Sequence, residues 1–386
     1  MASRLAEFWK RPGGYGDVLK IAFPLILSTS AFTIQMFIDR VFLMWYGSDT
    51  MSAAMFGGIL NFTFFSLFLG TTTYVNTFVA QYDGAGRQKR VGALVWQGVY
   101  FSIGAGLLMA AIAPFSTAII NLAGHEQAVR VHEVVYFRIL CIGAMFGLVA
   151  ATLSCFFTGR GKTWTVMIVN TIAIIINVAL DYGLIFGNWG LPRLGIAGAA
   201  LATIFSSVFS CIVYFHLFLR EKNRVTFASL LNWRFDKELF LRLMRYGLPS
   251  GIQFMLDILG FTFFIALIGR INSVCLAATS MTFQINTLAF MPMIGFSTAV
   301  STLVGQSLGK NKPELAQRST WSASSMTLLY MATIASGYVL FPQVFMRPFA
   351  LHADPGQFLA IKPMVEKLLC FVAIYSVIAH ASERPS

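Results

Sequence analysis

TYVNTFVAQYDG at residues 73–84 and TAVSTLVGQSLG at residues 298–309 are two copies of one segment, 225 residues apart. Thr73, Val75, Thr77, Val79, Gln81 and Gly84 fall on Thr298, Val300, Thr302, Val304, Gln306 and Gly309. The same offset places Pro24 on Pro249, Asn61 on Asn286, Phe65 on Phe290 and Gly70 on Gly295. No gap is needed across this stretch, so the chain is an internal repeat.

The repeated segments are overwhelmingly apolar. The 386 residues are 57% hydrophobic and only 11% charged, with a mean hydropathy of +0.71. Soluble domains carry about a quarter charged residues. A chain this apolar cannot keep a water-facing surface, which excludes a cytosolic enzyme, a nucleic-acid-binding domain and a disordered chain. It is an all-α integral membrane protein. Its apolar runs are too long and continuous for barrel strands. The first stretch, about 27 residues, also exceeds a signal-peptide core.

A membrane-crossing helix needs about 20 mostly apolar residues. Ten spans meet that need, at roughly 18–45, 53–80, 91–113, 133–157, 164–187, 196–219, 246–269, 275–303, 319–341 and 363–380. Six of them make one repeat unit. An even number inserts both copies in the same orientation, about an axis along the membrane normal, so the repeat is parallel. The lobes are 1–219 and 246–386, joined by a cytoplasmic connector at 220–245 with Trp233 and Phe235 between charges. A full second copy would end near residue 444, so ten helices of an expected twelve are present and the carboxy lobe reads as truncated. From His380 the sequence HASERPS does not match FFTGRGKT at 156–163.

Lys and Arg fix the orientation. Nineteen lie on one side, in the amino terminus and the second, fourth, sixth and eighth loops; seven lie on the other, at Arg130, Arg138, Arg193, Arg270, Arg347, Lys362 and Lys367. The positive-inside rule makes the amino terminus cytoplasmic. The net charge of +12 is mostly this orientation signal, not a polyanion site.

Carboxylates within spans are costly and default to function. Asp39 in the first span and Asp181 in the fifth lie at similar depth, each about six residues before the outer end. Asn170, Asn177 and Asp181 share one helix face at 100° per residue. Gln35 lies a turn below Asp39, and Thr203 of the sixth span offers a hydroxyl. This oxygen-rich group suits a proton or a hard monovalent cation such as Na⁺; a carboxylate withdrawn from water favours its protonated form. Asp257, near the middle of the seventh span, is a second coupling or substrate site; its repeat equivalent is Phe32. Arg40 pairs locally or snorkels. Pro24 and Pro249 sit near helix starts, where proline is tolerated, and Pro24 is also a candidate bend that moves Asp39.

Other motifs carry no chemistry. GRGKT at 159–163 resembles the end of a phosphate loop, but the first glycine it needs falls on Phe156, so ATP-driven transport is unsupported. Asn61-Phe-Thr63 is a glycosylation pattern inside a span. His125 and His132 read as solvated loop residues without partners. The five cysteines read as small buried hydrophobes. No metal or cofactor set is visible, and an embedded enzyme is disfavoured because His352 and His380 lack catalytic partners.

Taken together, Pro24 with Asp39, VAQYDGAGR, FFTGRGKT, NVALDYGLIFG from Asn177, GIAGAALAT from Gly195 and VGQSLG from Val304 resemble the multidrug and toxic compound extrusion (MATE) family. That resemblance implies twelve helices in two lobes and efflux of amphipathic, often cationic drugs in exchange for Na⁺ or H⁺. In DinF-like members the amino-lobe cation site matches Asp39, Asn177 and Asp181. NorM-like members place a glutamate where this chain has Asp257. The expected partners are small-molecule drugs and membrane lipid, with neither nucleic acid nor ATP, in a monomer of the bacterial inner membrane. Two alternatives stand: a lipid-linked oligosaccharide flippase of the same superfamily, disfavoured because Arg40 is the only well-embedded base, and an inactive truncated remnant.

Overall fold

The computed structural model describes residues 9, 11–271, 273–350 and 355–382. Arg4, Lys10, His352 and the tail beyond Ser382 therefore lie outside the described residues. The helices are α1 (Tyr15–Tyr46), α2 (Ser48–Thr73), α3 (Val75–Gly84), α4 (Gln88–Ile112), α5 (Ser116–Asn121), α6 (Gln127–Thr158) and α7 (Thr163–Phe186). They continue as α8 (Ile196–Leu219), α9 (Glu221–Phe227), α10 (Lys237–Ile271), α11 (Ser273–Gly309), α12 (Pro313–Leu340), α13 (Pro342–Ala350) and α14 (Pro355–Ser382). No strand occurs among the described residues. In hydrocarbon each backbone N–H and C=O must be satisfied within its own segment, which selects helices.

Nine helical segments among the described residues are long and apolar enough to cross a membrane. They match the first nine predicted spans; the tenth, 363–380, lies within α14. Large apolar side chains stand exposed along them, including Phe37 at 67% and Leu107 at 61%. Such a surface is stable only against lipid.

Packing divides the chain into two compact units. One comprises Met1–Ser30, Leu259–Val300 and Glu314–Ser386, the other Ala31–Ile258 and Ser301–Pro313. The first has a core of Ala278, Met281, Ile285 and Ala289 from α11, Tyr338 from α12, Met346 from α13, and Val365 and Leu369 from α14. In the second, α6 is central, with Phe137, Cys141 and Ala144 packed among Met109, Ala113 and Ile120. A separate cluster joins Leu43, Ala53, Ile185, Ile196 and Ala199 from α1, α2, α7 and α8.

The repeat is visible as reciprocal contacts. A Cβ on Gly84 would collide with the Gln306 carbonyl oxygen, and one on Gly309 would collide with that of Gln81. These are the same contact, exchanged by the 225-residue offset. Asn76 Nδ2 donates to Thr302 Oγ1 at 3.2 Å, and Thr77 Oγ1 lies 3.3 Å from Ser301 Oγ, another exchanged pair. Self-complementary contacts of this kind mark a two-fold relation. Only glycine lets two backbones approach this closely.

Three helix ends use one turn. The Arg87 amide donates to Tyr82 O at 2.8 Å, Lys162 N to Phe157 O at 2.8 Å and Lys312 N to Ser307 O at 2.9 Å. Each bond spans a left-handed residue, Gly86, Gly161 or Asn311, at φ +69, +72 and +56. This is the helix-ending motif that caps orphan carbonyls. Asn311 is the repeat equivalent of Gly86, and asparagine is among the few other residues that tolerate that backbone. GRGKT therefore ends α6 and opens α7, which accounts for its glycine and its lack of a phosphate loop.

One expectation about local structure changes. Pro24 and Pro249 lie inside α1 and α10, not near their starts. Both helices begin earlier than the apolar runs, because their first turns are polar and hydropathy detects the membrane rather than the helix. The connector after α8 is tied to α4: Trp96 Nε1 donates to Ser229 O at 2.6 Å, and Gln97 Nε2 donates to Arg234 O at 3.2 Å. Asn61 is buried and donates to Cys141 Sγ at 3.3 Å, as its position in a span requires. All five cysteines are free.

Candidate functional site

Asp39 and Gln35 lie one turn apart on α1, Asn177 and Asp181 one turn apart on α7. This (i, i+4) spacing puts each pair on one face of its helix. The structure brings the two faces together. Gln35 Nε2 donates to Asn177 Oδ1 at 2.5 Å. With its amide turned over, Asn177 places its nitrogen 3.3 Å from Asp39 Oδ1 and 3.3 Å from Asp181 Oδ2, and its oxygen 3.2 Å from the Thr203 backbone nitrogen. The two orientations exclude each other: in one Asn177 accepts from Gln35, in the other it donates to both carboxyls while its nitrogen faces Gln35 Nε2.

The Asp39 and Asp181 carboxyls lie close enough to interact with each other. Asn177 and Asp181 are fully buried and Gln35 is 7% exposed. Asp181 Oδ1 has no hydrogen-bond partner among the described residues. The result is a pair of facing carboxyls, Asp181 fully buried and Asp39 partly so, with a spare oxygen on Asp181 that a proton or a small cation can complete. Oxygens of Asp39, Asp181 and Asn177 form a hard donor set of the kind Na⁺ takes. No group of three or more His, Cys, Asp or Glu side chains that could hold a metal occurs among the described residues.

The other predicted residues separate. The Thr203 hydroxyl donates to Ala199 O at 3.1 Å in its own helix, so Thr203 meets Asn177 through its backbone. Arg40 is half-buried and acts electrostatically on Asp39. Asp257 stands exposed on α10, and none of the hydrogen bonds described for the cluster reaches it. Pro24 lies in α1 fifteen residues before Asp39. Asn170 shares the helix face but not the cluster: Tyr214 Oη donates to Asn170 Oδ1 at 2.8 Å and to Val166 O at 3.3 Å. Asn170 is thus helix-packing glue. Tyr214→Phe is expected to cost about 1 kcal/mol of stability and to leave transport intact; thermal unfolding and efflux of the same variant check both.

Two features were not legible in the sequence. Tyr136 of α6 is half-buried and packs against the cluster that holds Leu43 and Ile185, one turn beyond Asp39 and Asp181. Its ring lies over Gly57 and Gly58, where added Cβ atoms would be 3.5 and 3.7 Å away. Nothing local distinguishes it from the other 11 tyrosines. His125 is not a solvated residue without a partner. Its Nδ1 lies 2.7 Å from Glu133 Oε1, and its ring meets Phe56 edge-on at 4.5 Å.

The comparisons agree with this architecture. The MatE family profile matches residues 24–183 and 249–383. The probable multidrug resistance protein NorM of Thermotoga maritima is 28% identical over 359 residues, spanning 92% of this chain and 75% of the relative. A MOP superfamily transporter from Pyrococcus furiosus superposes with a TM-score of 0.86 at 18% identity, covering 97% of this chain and 81% of that one. An outward-facing multidrug resistance MATE family transporter gives a TM-score of 0.85 at 18% identity, covering 95% and 80%. Likeness at that identity speaks for the fold; the family rests on the profile, which covers both halves of the repeat. The chain belongs to the MATE family of multi-pass membrane transporters.

Proposed function

We propose that the chain is a secondary-active antiporter that exports amphipathic, often cationic, compounds in exchange for H⁺ or Na⁺ bound at Asp39 and Asp181. The observation that carries this reading is the carboxyl pair itself, bridged by Asn177, with Asp181 fully buried and left with an unpartnered oxygen. The multidrug resistance of the relatives points to the same substrate class. The reading places the chain in the bacterial inner membrane with a cytoplasmic amino terminus, working as a monomer without ATP or cofactor. Its lobes are 1–219 and 246–386, joined through 220–245.

In this scheme an outward-facing carrier takes a cation at the pair, which neutralises it. The neutral pair favours a different position of α1 and weakens drug binding; Pro24, inside α1, is the natural point of flexure. The carrier then turns inward, releases the cation and rebinds drug. Exchange requires that each ligand bind the two states differently. Asp257, exposed on α10, is assigned a secondary role in substrate or cation binding.

Asp39→Asn tests the reading. Cells expressing this variant at matched membrane abundance should retain ethidium, whereas wild-type cells expel it until the ion gradient is collapsed. Wild-type efflux from the variant would remove the pair from the mechanism.

A further inference from the structure

We propose that the GRGKT turn at 159–163, with Lys222 and Lys310 beside it, binds the phosphate of an anionic phospholipid. This site does not depend on the carboxyl pair; the orientation proposed above supplies only the leaflet, the cytoplasmic one.

Arg160 is its fixed point. The side chain is 9% exposed, and the guanidinium carbon lies 4.5 Å from the Phe156 ring centre and 4.0 Å from that of Phe227. Stacking on aromatic faces holds a guanidinium still and leaves its N–H edge available. Nη1 donates to Asn223 Oδ1 at 3.4 Å, and Nε lies 4.0 Å from Asp83 Oδ1. Both contacts are long for a charged donor. A fork of five N–H donors is therefore held in place with little to meet.

The backbone brings three lysines to it. Lys162 follows two residues on, in the turn closed by its own amide on Phe157 O at 2.8 Å. Lys222 precedes Asn223, the residue that Arg160 touches. Lys310 donates its amide to Gln306 O at 3.1 Å, and Gln306 Nε2 donates to Gly159 O at 2.9 Å. All three lysines are exposed. Asp83 and, next to Lys222 in sequence, Glu221 set two acids against the four cations. Partial burial, and then the positive charges of Arg160 and Lys222, hold Lys162 below its ordinary pKa. Cations crowded in this way are short of a counter-ion.

The same turn opens α7. No side chain caps this 24-residue helix, and Thr163 Oγ1, buried at its first residue, has no hydrogen-bond partner among the described residues. An anion at a helix start meets the dipole and the first amides, and a phosphate oxygen there gives the Thr163 hydroxyl an acceptor. Trp164, Ile168, Ile172 and Ile175 stand exposed along one face of the helix. That apolar stripe begins where the charges end, so an acyl chain lying on it puts its headgroup at the turn. A soluble phosphate gains nothing from the stripe.

The test equilibrates the detergent-purified chain with equal amounts of dioleoyl phosphatidylglycerol and dioleoyl phosphatidylcholine and counts the retained lipids by native mass spectrometry. Wild type should favour the anionic lipid about tenfold, and Lys162→Gln/Lys222→Gln, two exposed changes, should bring the ratio close to parity. Arg234→Gln/Lys237→Gln removes the same charge from the end of the connector and should keep the wild-type ratio. Parity in wild type would overturn the site. An equal loss in both double variants would overturn it too, because a generally basic face would then suffice. Excess inorganic phosphate should leave the preference in place; its disappearance would assign the turn to a soluble anion and overturn the lipid.

Discussion

Asp181→Asn abolishes drug efflux and leaves the protein as stable as the wild type, or up to about 1 kcal/mol more stable. The two outcomes have one cause. Asp181 is fully buried with an oxygen that has no partner among the described residues, so the native fold bears the cost of a carboxyl it cannot satisfy. Asparagine has the same shape, carries no charge and supplies donors to Asp39. It removes a desolvation penalty that buried ionisable groups ordinarily carry. It also replaces a carboxyl oxygen by an amide nitrogen that takes up neither proton nor cation, so under the proposed antiport efflux should fall by two orders of magnitude or more, on the order of 3 kcal/mol in coupling. Active sites commonly trade stability for function in this way. Ethidium efflux and thermal unfolding of the same preparation provide the check. A large loss of stability would mean that Asp181 is a structural hydrogen-bonding residue.

Gly84→Ala should destabilise the protein by about 2 kcal/mol or more, the usual range for forcing a methylene into a closed contact. The added methyl would overlap a main-chain carbonyl oxygen, that of Gln306, and no side-chain rotation can relieve that. α3 and the end of α11 would have to separate, loosening the Asn76–Thr302 and Thr77–Ser301 hydrogen bonds beside them. Gly309→Ala makes the mirror contact on Gln81 and should cost a similar amount. The double variant should cost less than the sum, because helices already moved apart accept the second methyl freely; contacts that share a partner are not additive. Strict additivity in thermal unfolding would show that the two glycines do not share one crossing.

Much of the fold is legible in the amino-acid sequence. The span predicted at 196–219 is the observed α8, because Gly195 and Arg220 bound it sharply. α10 is the hardest to place. Its apolar run begins near residue 246, but the helix starts at Lys237, since Arg242 and Arg245 stay helical outside the apolar stretch. Pro24 reads as a helix start for the same reason. In the site, helical period alone joins Asn177 to Asp181, and matching depth joins them to Asp39. The same period wrongly groups Asn170 with them, because a shared face says nothing about which neighbour the side chain meets. Tyr136 and the His125–Glu133 pair give no such signal, because their partners are distant in sequence or hidden behind a loop.

The most direct measurement is drug affinity of the purified chain across pH and Na⁺ concentration, in wild type and in Asp39→Asn/Asp181→Asn. Antiport at the carboxyl pair predicts that wild-type affinity for ethidium falls as proton or Na⁺ binds, by linkage, and that the double variant binds with an affinity that neither cation changes. Affinity insensitive to both cations in wild type, or an undiminished dependence in the variant, would contradict it.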